Sequence, residues 1–276
     1  MDSEELSSLV NMKIGIIVQA RMISVRLPGK VMYELAGLPI LDIIIERLKR
    51  ARSSDIIILA TGDKQENKPI LDTAKRFGIG SFEGSESDVL LRFANAAKEF
   101  GLDAIVRVTA DCPLVDPEIV DQMVEIFISG KYDYVTNVKP PTWPDGLDIS
   151  VFTREILERA NREALLFSER QHVVIWMWKK IFDNPTSEFS GINVPASSNL
   201  SFHRWVIDEM DDYIFFQRLV EFLGRDKIIT AGWQDILCII NKHPDICLIN
   251  QRIIRDAGLA QDLLKDGKSE EREGMA

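Results

Sequence analysis

The feature that most constrains this chain is the alternation, through its first half, of short β-branched runs with segments of helical periodicity. Runs such as DIIILAT and DAIVRVT have the length and composition of buried strands. In the segments between them, such as PILDIIIERLKRA, apolar residues recur at three- and four-residue spacing. This order is typical of βαβ units around a mostly parallel sheet, so we expect an α/β fold.

The periodicity also predicts the positions of the elements. Predicted strands are 13–18, 55–61, 79–83, 103–109 and 132–137, and predicted helices are 39–51, 65–77, 86–99 and 117–129. After residue 138 the alternation weakens. A proline-rich loop, KPPTWPDGLDI, leads into a predicted strand at 147–152. Further predictions are helices at 153–163 and 167–181, a short strand at HRWVID, and helices at 211–223, 233–243 and 245–257.

No repeat or flexible linker divides the chain, which indicates one principal domain over residues 12–224. We expect 225–264 to form a helical segment packed on that domain. Residues 1–11 are polar and acidic, and Met12 offers an alternative start, so we interpret them as a flexible extension. The stretch 265–276 is charged and nearly free of large apolar groups, and we predict that it is disordered.

The net charge of −10 argues against a nucleic-acid partner or a membrane surface, because no domain-wide cationic field is available. No apolar run is long enough to span a membrane. The three cysteines form neither a CxxC pair nor an even disulfide set. We therefore expect a cytoplasmic protein in which any anion site is local.

One such local site is suggested by QARMISVRLPGK, which follows the first predicted strand. Arg21, Arg26 and Lys30 suit phosphate oxygens, and Gly29 lets the backbone approach a ligand closely. The P-loop pattern fails at Ser24 and Val31, and a GxGxxG pattern is absent. On these grounds alone, a polyphosphate site and a surface loop paired with acidic neighbours are about equally supported.

Acidic residues follow two other predicted strands. Asp111 comes two residues after DAIVRVT, and Asp208 ends HRWVID, so the two carboxylates could face each other and hold Mg²⁺. Asp116, directly before a proline, is interpreted as a helix cap. Cys112 is interpreted as a packing residue, because a neighbouring carboxylate raises a thiol pKa. His172, on an apolar helix, could be structural or could face a ligand.

Several motifs in order carry a resemblance to a known family. They are QARMxSxRLPGK, GSESDVLLRF, RVTADCPLVDP, YVTNVKPPTWPDGLDISVF and VIDEMDDY, between about residues 13 and 223. Together they resemble the cytidylyltransferases of the spore-coat polysaccharide biosynthesis type. These are related to the synthetases of CMP-acylneuraminate and CMP-3-deoxy-manno-octulosonate.

The resemblance implies a nucleotidyltransferase fold, the GT-A-like and Rossmann-like mixed sheet of nucleotide-diphospho-sugar transferases. It implies two substrates, CTP and a small sugar-like acceptor, with Mg²⁺ as cofactor. The implied nucleotide-binding residues are Gln19, Ala20, Arg21, Ser24, Arg26, Lys30, Gly84, Ser85 and Asp88. Arg21, Lys30 and Asp111 are the implied catalytic residues, Asp111 and Asp208 the metal ligands, and Asp145, Asp148 and His172 the acceptor-binding residues.

Two departures fall on the acceptor side. Relatives usually carry glutamate two residues after GLD, where this chain has Ser150, and they usually read REHVT where it reads RQHVV. Two rivals to a cytidylyltransferase stay open, a glycosyltransferase of the same fold and a catalytically silent relative. The apolar helices around Trp176 and at 233–257 could form a homodimer contact or could pack on the sheet.

Overall fold

The central strand, β1 (Ile14–Gln19), has the sequence IGIIVQ and is buried at every position except the last. The computed structural model describes residues 12–184 and 186–273. The other strands are β2 (Glu34–Leu35), β3 (Leu38–Pro39), β4 (Ile56–Gly62), β5 (Gly80–Gly84), β6 (Ala104–Thr109), β7 (Tyr134–Thr136), β8 (Ser150–Thr153) and β9 (Gly191–Asn193). The seven-stranded sheet has the order β5-β4-β1-β6-β8-β7-β9, and β2 and β3 form a separate pair.

The direction of the strands decides where a site can form. β5, β4, β1 and β6 are parallel, while β8 runs antiparallel to both β6 and β7. The carboxyl ends of β1, β4, β5 and β6 therefore meet at one edge of the sheet, where loops converge on ligands in open α/β folds. The mixed, mostly parallel sheet confirms the predicted fold class.

Helices cover both faces of the sheet. They are α1 (Ile40–Leu48), α2 (Lys68–Phe77), α3 (Val89–Glu99), α4 (Pro117–Gly130), α5 (Arg154–Glu163), α6 (Phe167–His172), α7 (Ile175–Ile181), α8 (Met210–Leu223), α9 (Trp233–Lys242) and α10 (Ala257–Glu273). One core lies between the sheet and α1, α2, α4, α8 and α9, and the other between the sheet and α3, α5 and α7. This burial on both faces explains why the strands read as continuous apolar runs.

Two details of the sequence predictions can be compared with the structure. Asp116 caps α4 by accepting a hydrogen bond from Glu118 N at 2.9 Å, as predicted. Trp176 and Ile236 are buried in the cores, so the helices that carry them pack within this chain. The homodimer stays a prediction.

Several predicted elements were wrong. The single helix at 167–181 is two helices, because Val173 takes a backbone φ of +58° while its side chain, like that of Val174, enters the core. HRWVID is not a strand. It is extended, with one isolated bridge between Asp145 and Arg204.

The C-terminal predictions also need correction. Residues 245–257 are not one helix. A 3₁₀ segment, Pro244–Ile249, is followed by turns, and the buried Asn250 bonds instead to Arg204 O at 3.1 Å. The tail predicted as disordered from residue 265 continues α10 to Glu273, a sequence rich in helix-forming residues. Residues 274–276 and the predicted flexible extension 1–11 lie outside the described residues.

In the described parts of the chain, no helix combines the length and the apolar character that crossing a membrane would require.

Candidate active site

The loop after β1 begins the candidate site at the carboxyl edge of the sheet. The buried Ala20 bonds through its N–H to a β4 carbonyl at 3.1 Å, which directs the chain as it leaves the strand. Leu27 is buried beneath the loop. Gly29, at φ +72°, donates to Met22 O at 2.8 Å. A left-handed residue at this bend is best supplied by glycine, and the loop thereby folds back so that its arginines lie on the surface.

The polar side chains at the start of this loop differ from one another in burial and in hydrogen bonding. Ser24 Oγ accepts a hydrogen bond from Leu27 N at 3.3 Å and so helps to shape the loop. Gln19 Oε1 is buried and, among the described residues, has no hydrogen-bond partner. Arg21 is exposed.

Lys30 lies at the centre of the candidate site. Its Nζ donates to Asp111 Oδ2 at 3.0 Å and to Asp208 Oδ1 at 2.6 Å, and also to Ile207 O at 2.8 Å. The backbone bond from Ile207 N to Asp111 O, at 2.8 Å, holds the two carboxylate-bearing segments side by side. The structure thus brings together the two residues that the sequence suggested as metal ligands, with a cation between them.

Electrostatics within this cluster favour the charged forms. Burial works to raise the pKa of Asp111, but the charge of Lys30 and hydrogen bonds from Thr109, Lys30 and Cys112 outweigh it, so the pKa lies below its ordinary value. Burial works to lower the pKa of Lys30, but the charges of Asp111 and Asp208 leave it raised. The cluster is therefore an ion network at neutral pH.

Asp208 is bordered by further cations. Arg26 NH2 lies 2.8 Å from Asp208 Oδ2, and Arg204 NH2 lies 3.7 Å from the same oxygen. Arg204 is itself held by Asp212 and Asp145 at 2.8 and 3.0 Å. Arg26 links the loop after β1 to Asp208, and the deeper Arg204 links Asp208 to the loop before β8.

The oxygen atoms around Lys30 Nζ would also suit a hard divalent cation as ligands. Two carboxylate oxygens and one carbonyl oxygen already surround one positively charged atom, and oxygen ligands are those that Mg²⁺ prefers. Among the described residues, no group of three His, Cys, Asp or Glu side chains forms a metal site by itself. A metal held here would therefore take its remaining ligands from water or from a substrate phosphate.

Gly84, Ser85 and Asp88 lie at the carboxyl end of β5 and the start of α3, two strands away from β1. Asp88 caps α3 by accepting from Leu91 N at 2.9 Å, and it also pairs with Arg170 Nε at 3.0 Å. Its carboxylate is thus already engaged in structural contacts.

Arg92, in the same motif, was not singled out from the sequence. It is buried, donates through NH1 to Ser85 O at 2.7 Å, and has two further nitrogens without partners among the described residues. Burial lowers its pKa to about 10, opposed by Glu86, and Arg21 is close enough to lower it further. Unpaired buried donors at this edge are candidates for contacts with a nucleotide.

The three residues predicted to bind the acceptor each have a cationic or acidic partner from later in the chain. Asp148 Oδ1 accepts from Arg255 at 2.7 Å, and His172 Nε2 lies 3.0 Å from Asp262 Oδ2. Asp145 pairs with Arg204. Arg255 and Asp262 therefore contact this side of the site.

The pKa values of the two carboxylates on this side shift in the opposite direction from that of Asp111. Burial raises the pKa of both Asp145 and Asp148. The charge of Asp148 raises the pKa of Asp145 further, and the charge of Asp256 raises that of Asp148, although arginines oppose both shifts. Burial lowers the pKa of His172 despite its bond to Asp262. Asp145 and Asp148 are consequently poised to exchange protons nearer neutral pH than ordinary carboxylates.

Arg107 is a further residue that sequence reasoning missed. It lies on β6 directly opposite Ser150 on β8, and its Nε is buried with no partner among the described residues. Burial lowers its pKa, while Tyr134, Asp111 and Asp148 oppose the shift, so its guanidinium is within electrostatic range of both ends of the site. The sequence signal that could have found it is a single arginine within the mostly apolar strand segment DAIVRVT.

Ser150 and Cys112 have structural partners. Ser150 Oγ bonds to Tyr134 OH and to Thr136 Oγ1, both at 3.0 Å. This buried serine places a hydroxyl, and not a carboxylate, directly across the strand pair from Arg107. Cys112 is buried, and burial together with Asp111 raises its pKa well above the ordinary value, which favours the packing interpretation.

Sequence comparisons show which known proteins this chain is similar to. The family model described as cytidylyltransferase matches residues 15–177. The spore coat polysaccharide biosynthesis protein SpsF of Bacillus subtilis is 28% identical over 235 residues, covering 83% of this chain and 94% of that protein.

Solved structures of similar fold were also found. A cytidylyltransferase from Leptospira borgpetersenii is 33% identical and superposes with a TM-score of 0.79, covering 86% of this chain and 97% of the other. A CMP-2-keto-3-deoxy-manno-octonic acid synthetase complexed with CTP has a TM-score of 0.57 at 15% identity, over 76% and 98% of the two chains. At that identity the second likeness concerns the fold alone.

Proposed function

This chain belongs to the cytidylyltransferase family, and from that premise we propose that it transfers CMP from CTP to a sugar-like acceptor with release of pyrophosphate. The observation that carries the proposal is the convergence of Lys30 and Arg26 with Asp111 and Asp208 at the carboxyl edge of the sheet. This arrangement offers cations for a polyphosphate beside carboxylates for a metal.

In the proposed reaction, an acceptor oxygen attacks the α-phosphorus of CTP. A new bond forms between that oxygen and phosphorus, the bond from the α-phosphorus to the bridging oxygen breaks, and pyrophosphate leaves with the electron pair. The proton of an acceptor hydroxyl passes to solvent water. Such transfer depends on alignment and charge neutralisation more than on covalent help from the protein. Arg21, Ser24, Arg26 and Lys30 would bind the triphosphate and stabilise the charge that develops on the leaving group.

Asp111 and Asp208 would hold Mg²⁺. When bound, the metal would neutralise phosphate charge and help to activate the acceptor oxygen. The protein's own part is to keep the Asp111 carboxylate ionised, which its lowered pKa supports.

On the acceptor side, we propose that Asp145, Asp148 and His172 border the sugar, together with Arg107. The buried, unpaired Nε of Arg107 suits an acidic sugar or a sugar phosphate, since an arginine offers a planar fork to carboxylate or phosphate. The relation to a spore coat polysaccharide biosynthesis protein supports a role in surface polysaccharide synthesis.

The test has two stages. Thermal unfolding is measured with each nucleoside triphosphate, with and without Mg²⁺, because selective binding raises the midpoint. Pyrophosphate release is then measured with CTP and a set of acidic sugars and sugar phosphates. We expect stabilisation by CTP above the other nucleotides and pyrophosphate release that needs an acceptor.

Release of a nucleoside diphosphate from a nucleotide sugar would instead identify a glycosyltransferase. Stabilisation by CTP without turnover of any acceptor in the set would favour a silent relative. Absence of any CTP effect in both measurements would contradict the proposal.

A further inference from the structure

The ammonium group of Lys30 is fully occupied. An ammonium has three N–H donors, and the three acceptors around Nζ are Asp111, Asp208 and the carbonyl of Ile207, at 2.6–3.0 Å. Only 10% of the side chain is exposed. In this arrangement Lys30 has no donor left for a phosphate oxygen, although its position in the loop suits phosphate binding.

The same contacts make the carboxylate pair a poor site for a free metal ion. The two negative charges of Asp111 and Asp208 are balanced by Lys30 and Arg26, which lie within 3.0 Å of their oxygens. A divalent cation arriving alone would add two positive charges beside these cations. A triphosphate would reverse this balance, because it supplies negative charge to both the cations and the metal.

We propose, resting on the proposed function, that Lys30 is an internal cation that competes with the divalent metal for Asp111 and Asp208. The triphosphate draws Lys30 off the carboxylates and opens their oxygens to the metal. Metal and nucleotide therefore bind cooperatively, and the nucleotide-free protein binds free divalent metal weakly. Lys30 thus has two roles. With nucleotide bound it is a phosphate ligand, and without nucleotide it occupies the carboxylates that would bind the metal.

The probe is Mn²⁺ alone, with no nucleotide, measured by titration calorimetry and by the loss of the free-ion electron paramagnetic resonance signal. In Lys30→Met, the competing charge is absent, and we expect Mn²⁺ to bind on the order of tenfold or more tightly than in the unmodified protein. Lys139→Met is the matched control, since it removes a lysine 2.9 Å from another carboxylate, Asp183. It should leave Mn²⁺ affinity unchanged.

A second readout separates competition from a general change of structure. Removing Lys30 leaves two carboxylates facing each other, so the melting temperature of Lys30→Met should fall, and Mn²⁺ should restore it by linkage. The gain in affinity should disappear in the double variant Lys30→Met with Asp111→Asn. If Lys30→Met does not fold, Lys30→Gln, which keeps polarity and removes the charge, takes its place.

Mn²⁺ affinity that is equal or weaker in the folded Lys30 variant overturns the proposal, as does a gain that persists without the Asp111 carboxylate. Neither result depends on CTP. A protein that fails to bind or turn over CTP would contradict the proposed function and leave the Mn²⁺ comparison readable. Equal Mn²⁺ affinities beside normal CTP turnover would remove only the competing role of Lys30.

Discussion

Arg255 donates a hydrogen bond to Asp148 Oδ1 at 2.7 Å across 107 residues of sequence. A second bond, from Arg255 NH1 to Trp143 O at 3.0 Å, holds the same loop. The segment that precedes α10 is thereby joined to the loop before β8. The proposed acceptor side is consequently built from the middle and from the C-terminal part of the chain, whereas the family match ends at residue 177.

Replacing Arg255 tests this connection. Arg255→Met leaves Asp148 largely buried without its cation, so we expect a loss of about 2 kcal/mol in the free energy of unfolding. Denaturant unfolding measures it. Arg252→Met, at an exposed position three residues earlier, is the control. An equal loss of unfolding free energy in both variants would show that the Arg255 contacts do not stabilise the fold.

Asp111 and Lys30 should be the most sensitive positions for turnover. We expect Lys30→Ala or Asp111→Ala to lower kcat/KM by about 100-fold or more, as removal of a principal electrostatic group does. Pyrophosphate release under saturating Mg²⁺ measures the loss. Near-normal turnover in Asp111→Ala would remove this residue from the proposed metal site.

Arg107 should affect the acceptor and not the nucleotide. We expect Arg107→Met to raise the KM for an acidic acceptor by on the order of 10- to 100-fold, since a charge-assisted hydrogen bond is lost. CTP-induced stabilisation should stay as in the unmodified protein. A parallel loss of CTP binding would move Arg107 to the nucleotide side, and an unchanged KM would exclude it as an acceptor contact.

Asp145 predicts a pH dependence of stability. Burial and Asp148 raise its pKa to about 7, above the value near 3.9 of an unfolded chain, so between these values the folded state binds more protons. Stability contributed by this group is present below about pH 4 and falls as the pH rises through about 7.

Asp145→Asn removes the titration while leaving an oxygen for Arg204. The stability of the variant relative to the unmodified protein should therefore increase from pH 4 to pH 7, by on the order of 1 kcal/mol or more. Denaturant unfolding at several pH values measures the difference. A difference that is constant with pH would show that the folded protein does not raise this pKa.

Much of the fold followed from local patterns. Strand β6 and helix α4 lie where periodicity and Pro117 predicted them, because the sequence there encodes both burial and a helix start. Prediction weakened where long-range contacts decide the conformation. The buried Asn250 is one example, since its bonds to Arg204 and Asp212 hold its segment in turns that no local pattern indicates.

The candidate site divides in the same way. Lys30, Asp111 and Asp208 could be selected from sequence because each follows a strand-like segment with a polar or glycine-rich break. Arg107, Arg204 and Arg255 could not be assigned, since a single arginine has no local signature of its partner. Their roles depend on which carboxylates the topology brings near.

The sequence by itself determined most strands and helices of the first half of the chain, and that cations follow β1 while a carboxylate follows β6. Only the tertiary structure decided that Lys30 meets Asp111 and Asp208, from which it is separated by 81 and 178 residues. Periodicity records which face of an element is buried, and therefore constrains neighbours within a few turns. Which distant side chains share an ion network is set by strand order and packing, and here that order places a lysine between the proposed metal ligands.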